Sequence, residues 1–286
     1  MKILWVKSDF LHPTDRGGQI RTLEMLKCLH ARHEIHYVAF EDGKNPEGLE
    51  RSAEYCSRAY PVAHSVPPHR SVKFLGQLLQ GLVSQIPVAV ERYTSGRMKR
   101  QIEVLLQQQN FDSLVCDFLF PAPNIPDVSR SLLFQHNVES TIWRRHFEQA
   151  NSLVKKRYFR LQSRRMYAFE RSICRRAGHI VAVSEADRET MHRLFGVERI
   201  TSINTGVDVQ YFTPPCAAEA KENPVFADLI FTGSMDWLPN IDAAKFFAAE
   251  ILPHIRKERP NCRIVIAGRR PTSAIRDLAK RDSGIL

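Results

Sequence analysis

The chain lacks the sequence features of membrane-spanning, secreted and zinc-binding proteins. It has no run of about 18 apolar residues, so we expect no transmembrane helix. The first residues acquire charge at Lys2 and Lys7, too early for the apolar core of a secretory signal peptide. The 6 cysteines lie far apart without a Cys-x-x-Cys pair, which favours free thiols in a reducing compartment. We therefore expect a cytoplasmic protein.

Acidic residues are scarce in one segment, residues 141–177. Eleven lysines and arginines stand there against Glu148 and Glu170, and this excess accounts for nearly all of the net charge of +10. Such a local field indicates an anionic partner: a phosphorylated ligand, an acidic membrane surface or nucleic acid. A long helix with a solvated charged face explains the same composition. No nucleic-acid-binding motif occurs, so nucleic acid is the least favoured of these partners.

Apolar segments of strand length alternate with amphipathic helices, among them residues 71–84. This alternation predicts an α/β fold with a parallel sheet covered on both faces. Residues 1–212 are expected to form a first Rossmann-like domain, residues 213–227 a proline-rich linker, and residues 228–286 a second Rossmann-like unit. The last segment is shorter than a typical domain of roughly 100–150 residues. We therefore expect the second domain to be incomplete.

The sequence also lacks the Gly-x-Gly-x-x-Gly fingerprint, which argues against a nicotinamide dinucleotide. Gly17 and Gly18 stand instead where the first strand meets the first helix. Two glycines let the backbone approach a ligand closely, and the helix N-terminus offers N–H groups to an anion. Arg21, one helical turn further on, is placed to reach the same anion. A simple turn without a ligand is the alternative explanation of the glycine pair.

His136 ends a buried strand and is followed by Asn137 and Glu139. In an open α/β sheet the carboxyl ends of the strands line the ligand crevice. A histidine there acts as a base or hydrogen-bonds a hydroxyl group. Capping of the next helix is the structural alternative.

Two further motifs each follow a strand. In the first, Ser184 is an N-cap candidate with Asp187 three residues later, as in a capping box. In the second, Asn204, Gly206 and Asp208 suit a turn with positive φ, so a purely structural role stays open for both motifs.

These motifs occur in order along the chain and are followed by Phe-Thr-Gly-Ser-Met-Asp-Trp-x-Pro-Asn-x-Asp-Ala at residues 231–243. Together they resemble glycosyltransferase family 4, the retaining sugar transferases of GT-B fold. The last motif is most similar to the exopolysaccharide-associated branch with its PEP-CTERM/exosortase-type transferases. The resemblance covers the whole chain.

The resemblance implies a nucleotide-diphospho-sugar donor held by the C-terminal domain and a lipid-linked or glycan acceptor held by the N-terminal one. Transfer would occur in the cleft between them, without a catalytic metal or other cofactor. It implies His136 as the catalytic residue. The substrate-binding residues would be Gly17, Gly18, Arg21, Asn137, Glu139, Asn204, Gly206, Asp208, Gly233, Asp236 and Arg269.

The chain departs from the family pattern in its second domain. No Glu-x7-Glu-like segment, which holds the donor in such enzymes, follows Gly268. Many relatives place an arginine and a lysine after the first strand of this domain, where the chain has Ser-Met-Asp-Trp at 234–237; Arg269 and Arg270 are the nearest cations. We therefore expect residues 1–286 to transfer no sugar. A non-catalytic anion- or lipid-binding protein of the same fold is the alternative, and the 141–177 segment is the expected contact with an anionic membrane at the inner face of the plasma membrane.

Overall fold

The computed structural model describes residues 1–67, 71, 76–78, 81, 83–209, 212–213 and 227–286. The predicted linker at 213–227 lies outside this part of the chain except at its two end residues. Half of the residues of the predicted helix at 71–84 lie outside it as well. The chain divides into two compact units, Met1–Val207 and Asp208–Leu286. This division falls a few residues before the boundary predicted at residue 212.

The first unit is built on a seven-stranded sheet in which all neighbouring strands run parallel. The strands are β1 (Lys2–Val6), β2 (Glu34–Glu41), β3 (Arg58–Ala63), β4 (Ser113–Asp117), β5 (Ser131–Gln135), β6 (His179–Ala182) and β7 (Ile200–Ser202). Their order is β3-β2-β1-β4-β5-β6-β7, with Trp5 opposite both Tyr37 and Val115. The order reverses between β1 and β4, which makes the carboxyl ends of these two strands the switch point where open sheets bind ligands.

Helices cover both faces of this sheet. They are α1 (Gly17–His30), α2 (Pro46–Glu50), α3 (Val88–Glu91), α4 (Gly96–Gln108), α5 (Glu139–Glu148), α6 (Leu153–Arg176) and α7 (Glu185–Phe195). The predicted basic segment thus forms two helices, the first of which begins at Glu139.

Alternating residues of β1 serve two separate cores, because successive side chains of a strand point to opposite faces. Leu4 and Val6 lie in a core that includes residues of α4 and α6, such as Ile102 and Met166. Ile3 and Trp5 lie in the other core, to which α1 contributes leucines. The predicted α/β class with a parallel sheet is confirmed.

The second unit contains a separate parallel pair, β8 (Leu229–Thr232) and β9 (Ile264–Ala267). The helices around it are α8 (Leu238–Phe246), which continues through a π-helical turn at Phe247–Ile251 into α9 (Leu252–Glu258), and α10 (Ser273–Arg281). A side chain at Gly268 would overlap the carbonyl oxygen of Gly233, so the two strand ends approach as closely as backbone permits. Within the described residues, no helix is both long and apolar enough to cross a membrane.

Candidate functional site

Three polar residues gather where adjacent strands of the first unit end. Asp117 is the last residue of β4, and Lys7 and His136 directly follow β1 and β5. Because β1, β4 and β5 are neighbours in a parallel sheet, their carboxyl ends lie side by side at the switch point. The sequence therefore brings an acid, a base and an imidazole to one edge of the sheet.

Asp117 is the centre of this cluster and is fully buried. Its carboxylate accepts hydrogen bonds from His136 Nε2 at 2.7 Å, Thr22 Oγ1 at 2.8 Å and Trp5 Nε1 at 3.0 Å, and pairs with Lys7 Nζ at 2.9 Å. Burial raises the pKa of Asp117, but the charge of Lys7 and the hydrogen bond from His136 outweigh it and hold the pKa well below its usual range. The carboxylate is therefore ionised at neutral pH.

His136 has one ring nitrogen committed and one available. Nε2 is bonded to the Asp117 carboxylate, so it carries the proton of the neutral ring and Nδ1 is left as an acceptor. Aromatic rings fix the imidazole, with the Phe134 centroid at 4.6 Å and the Phe118 centroid at 5.0 Å. Nδ1 faces Gly18: a Cβ added at that glycine would lie 3.5 Å from it. The imidazole thus presents its accepting nitrogen towards the start of α1.

Phe118 is held in a strained backbone conformation beside this imidazole. Its φ is +83°, a region that L-residues other than glycine, asparagine and aspartate seldom adopt. Its N–H donates to the carbonyl of Phe134 at 2.8 Å. Such outliers persist where surrounding contacts impose them, and they concentrate at functional sites.

The glycine pair opens α1 as predicted, and Gly17 is exposed. The side chain of Arg16, just before this helix, makes no capping hydrogen bond, whereas the N–H of Gln19 donates to the Arg16 carbonyl at 3.0 Å. The N–H groups of Gly17 and Gly18 are therefore the ones at this helix start that could bind an anion. Arg21 is engaged within the first unit: it donates to Thr205 Oγ1 at 2.7 Å and to the Ile203 carbonyl at 2.5 Å. It therefore ties α1 to the loop after β7.

Glu139 lies in the first turn of α5 and is buried beside Glu170 of α6. Burial and the charge of Glu170 raise the pKa of Glu139, and a hydrogen bond with Asn137 lowers it in part. Burial also raises the pKa of Glu170, which accepts the backbone N–H groups of Glu139 at 2.9 Å and Ser140 at 2.8 Å. Glu139 is thus enclosed in the protein, three residues after His136.

The other predicted residues of the first unit are more loosely placed. Asn204 and Gly206 are exposed in the loop after β7. Ser184 caps α7, accepting the N–H of Asp187 at 3.1 Å and donating to its carboxylate at 2.8 Å. The capping role predicted for this pair is confirmed.

The remaining predicted residues belong to the second unit. Asp208 is its first residue, and Gly233 directly follows β8. Arg269 donates to Ser234 Oγ at 3.1 Å and lies 3.9 Å from Asp236, which is also 3.8 Å from Arg270. The carboxyl ends of β8 and β9 therefore bring together a hydroxyl, a carboxylate and two guanidinium groups.

The sequence prediction missed Lys7 and Asp117, the two charged partners in the cluster. Each stands at the end of an apolar strand, in Ile-Leu-Trp-Val-Lys and Ser-Leu-Val-Cys-Asp. The same rule that selected His136, a polar residue at the carboxyl end of a buried strand, selects both. Trp5 and Thr22 gave no comparable signal, because an apolar strand and a helix interior contain such residues for packing alone.

The chain is similar to a known family in sequence and to known structures in fold. The family model described as Glycosyltransferase Family 4 matches residues 16–211. No curated protein matches the chain in sequence. Among solved structures, the chain is similar to a sucrose-phosphate synthase from Thermosynechococcus elongatus, with 12% identity and a TM-score of 0.62, covering 100% of this chain and 69% of that one. It is also similar to UGT71G1 from Medicago truncatula, solved with UDP-glucose, with 11% identity and a TM-score of 0.49, covering 99% and 70%. At 12% identity the likeness to the synthase is one of fold.

Proposed function

The chain belongs to glycosyltransferase family 4, and on that premise we propose that its reaction is the retaining transfer of a hexosyl residue from a nucleotide-diphospho-sugar to a lipid-linked or glycan acceptor. The first unit binds the acceptor and contains His136. The second unit binds the donor, with Gly233, Asp236 and Arg269 near its phosphates. The exopolysaccharide-associated branch, suggested by the motif at 231–243, is the proposed context.

The observation that carries this proposal is the pairing of His136 with Asp117. The buried carboxylate fixes the imidazole as an Nε2–H tautomer, so Nδ1 accepts a hydrogen bond from a substrate hydroxyl. Gly18 leaves open the space in front of this nitrogen. We propose that a sugar hydroxyl occupies that space, and that the open N-terminus of α1 lies against an anionic group of the substrate.

Two adjacent glycines test this role of His136. Gly18→Ala places a methyl group in ordinary van der Waals contact with Nδ1, whereas an added Cβ at Gly17 meets nothing within 4 Å. Neither glycine has a positive φ, so both variants should fold as well as wild type. Relative to any sugar transfer that wild type shows, we expect Gly18→Ala to be slower by at least about tenfold, as losing one aligned polar contact does, while Gly17→Ala stays close to wild type. Nucleoside diphosphate release from a panel of nucleotide-hexoses measures this. If wild type shows no transfer, NMR of the imidazole decides instead.

A second measurement does not require turnover. Long-range proton–nitrogen NMR of the imidazoles should show His136 as the Nε2–H tautomer in wild type, with added sugar shifting Nδ1 in Gly17→Ala but not in Gly18→Ala. Equal effects of the two alanines on turnover and on these shifts would contradict the proposed role. That residues 1–286 transfer no sugar stays a prediction, and the same assay of wild type tests it.

The other substrate contacts are proposals of the same kind. Substrate binding is proposed for six further residues: Asn137, Glu139, Arg21, Asn204, Gly206 and Asp208.

We also propose that transfer needs no metal. Turnover and sugar binding should then be unchanged by EDTA. A loss that added magnesium restores would contradict the metal-free mechanism.

We also propose that α5 and α6 dock the first unit on an anionic membrane at the inner face of the plasma membrane. Ten of the eleven cations in 141–177 are exposed, and α6 begins with Leu153 and Val154, 79% and 80% exposed. Free thiols at Cys28, Cys56, Cys116, Cys174 and Cys262 suit a reducing cytoplasm. Apolar side chains beside cations are typical of segments that lie in the membrane interface.

A further inference from the structure

A cavity of about 330 Å³ opens at the carboxyl ends of β1 and β2, beside the start of α1. Ser8 and Asp9, which directly follow Lys7, line it together with Gln19, which directly follows Gly18. Asp9 also feels the charges of Lys7 and Asp117. The cavity therefore adjoins the cluster around His136 and belongs to the first unit alone.

The cavity wall has more acidic than basic groups. Four carboxylates line it, from Asp9, Asp15, Glu41 and Asp42, against the single guanidinium of Arg16. An excess of carboxylates repels phosphate and other anions. The wall therefore favours an uncharged or cationic ligand, in contrast to the anionic partner expected at α5 and α6.

Aromatic faces and hydrogen-bond acceptors provide the rest of the wall. Phe10, Phe40 and Tyr93 line the cavity, as does His64, whose ring lies 4.3 Å from that of Phe40. Aromatic faces with a few convergent polar groups are typical of small-molecule sites. Carboxylate and amide oxygens accept hydrogen bonds from hydroxyl groups, so these walls suit a polyhydroxylated ring.

One buried acceptor in this wall has no partner. Gln19 is only 8% exposed, and its Nε2 donates to Asp9 Oδ2 at 2.9 Å. Its Oε1 makes no hydrogen bond within the described residues. The contribution of Gln19 to the wall is therefore its bond to Asp9, which holds that carboxylate in place at the cavity.

We propose that this cavity binds one neutral sugar ring of the acceptor, with ring hydroxyls donating to the carboxylate of Asp9, which Gln19 Nε2 holds in place. Its volume is at the low end for ligand sites, which run from roughly 300 to 1,000 Å³, and so suits a single ring. The identification of this ring as part of the acceptor rests on the proposed function. The acceptor's phosphate, where it has one, lies outside the cavity.

Binding of simple sugars to the full chain tests this. The probes are the methyl pyranosides of glucose, galactose, mannose and N-acetylglucosamine, with glucose 6-phosphate as the charged counterpart of the first. Saturation-transfer NMR titrations give a dissociation constant for each. We expect at least one methyl pyranoside to bind, and methyl glucoside to bind more tightly than glucose 6-phosphate.

Three variants locate the binding. Asp9→Asn keeps the shape of the side chain and an oxygen for Gln19, and should weaken pyranoside binding by a factor of about five through loss of a charged acceptor. Asp42 lies on the exposed rim of the cavity, so Asp42→Asn should not affect folding. It should reduce the ratio between the dissociation constants of glucose 6-phosphate and methyl glucoside. Glu198→Gln removes an exposed carboxylate before β7 and should change neither.

Several results would overturn the assignment. These are no binding of any pyranoside, tighter binding of glucose 6-phosphate than of methyl glucoside, or an Asp9→Asn variant indistinguishable from Glu198→Gln. Loss of turnover in Gly18→Ala with pyranoside binding absent would count against the cavity alone. Pyranoside binding that responds to Asp9→Asn, combined with equal effects of Gly17→Ala and Gly18→Ala, would count against the role of His136 alone.

Discussion

A single buried carboxylate organises the cluster at the switch point. The carboxylate of Asp117 accepts hydrogen bonds from Trp5, Thr22 and His136 and forms an ion pair with Lys7. Its negative charge strengthens each of these contacts. Lys7 is itself only 5% exposed, so the pair is enclosed in the protein. Removing one partner of a buried ion pair leaves the other charge without compensation.

Replacing Asp117 with asparagine should therefore destabilise the first unit. We expect the free energy of unfolding at pH 7 to fall by about 3 kcal/mol, because Lys7 is left buried without its counter-charge. Urea denaturation followed by circular dichroism measures this. Asp112→Asn is the control, since Asp112 accepts the N–H of Lys2 in an exposed position just before the same strand. A loss in Asp117→Asn no larger than in this control would contradict the assigned role.

The same variant makes a pH prediction. Burial raises the pKa of Asp117, but Lys7 and His136 together lower it by more than burial raises it. The pKa in the folded state therefore lies below that in the unfolded state. A carboxyl of this kind contributes stability above its unfolded pKa of about 3.9 and loses it as the pH falls through the folded pKa. The difference in unfolding free energy between wild type and Asp117→Asn should thus be constant near neutrality and shrink below about pH 4.

For single residues, the sequence predicted which ones lie at strand ends better than it predicted which residues they contact. His136, Gly18 and Arg21 were selected because each follows or opens an element at a strand end, and His136 and Gly18 do meet. Arg21 is predicted to bind an anion; it bonds to Thr205 and Ile203, and its role in substrate binding stays a prediction. Strand-end position follows from periodicity, whereas partners nearly 200 residues apart follow from the sheet order, which a single sequence does not reveal.

Among the elements, the contact between the start of α5 and the last part of α6 contains two buried glutamates, Glu139 and Glu170. Glu170 of α6 accepts the first N–H groups of α5 and a weaker bond from Gln135 Nε2 at 3.3 Å. It therefore contacts the chain on both sides of His136. A carboxylate at a helix N-terminus is stabilised by the free N–H groups there.

Glu139, in contrast, gains little from ionising. Burial first, and the charge of Glu170 second, raise its pKa above the unfolded value. The folded state then holds its proton more tightly than the unfolded state, so stability is highest at low pH and falls as the pH rises towards the folded pKa. Because glutamine resembles the protonated acid, Glu139→Gln should gain roughly 2 kcal/mol relative to wild type between about pH 5 and pH 8.

Denaturation series at several pH values measure this gain. Glu148→Gln on the same helix is the control: its carboxylate is exposed, 3.6 Å from Arg144, and should show no such trend. Glu170→Gln should instead lose stability, because an amide cannot accept both backbone N–H groups. A flat difference between Glu139→Gln and wild type across this range would show that Glu139 ionises freely.

For the whole molecule, periodicity in the sequence was enough to predict the parallel sheet and its covering helices. The consecutive apolar residues of β1 are typical of a strand that is buried on both faces. The structure agrees, because Ile3 and Trp5 lie in one core and Leu4 and Val6 in the other. The basic segment at 141–177 was also evident, but the sequence left open whether it forms one helix or two. Trp143, His146 and Phe159 pack together across the two helices, with His146 and Phe159 stacked at 5.5 Å. These three rings pack against one another and are therefore not free to stack on bases.

Because the positive charge of the molecule is concentrated on α5 and α6, we predict that these helices bind the protein to anionic membranes. Each cation close to anionic lipid contributes on the order of 1 kcal/mol, and the attraction is screened within about 8 Å at physiological salt. Cosedimentation with vesicles should therefore rise with the anionic lipid fraction and fall as salt rises. Reversing Lys155, Lys156, Arg157 and Arg160 to glutamate should abolish it. Reversing four exposed cations elsewhere on the first unit, Arg32, Arg97, Lys99 and Arg100, should have a much smaller effect at the same net charge.

A third variant separates insertion from charge. Leu153→Ser with Val154→Ser leaves every cation in place but removes the exposed apolar start of α6. It should weaken binding at all salt concentrations, because the apolar contribution is not screened by ions. Circular dichroism of each variant confirms that the first unit is folded. Equal sedimentation of wild type with neutral and anionic vesicles, or equal losses from the two charge reversals, would mean that the cations of α5 and α6 are only a solvated helix face.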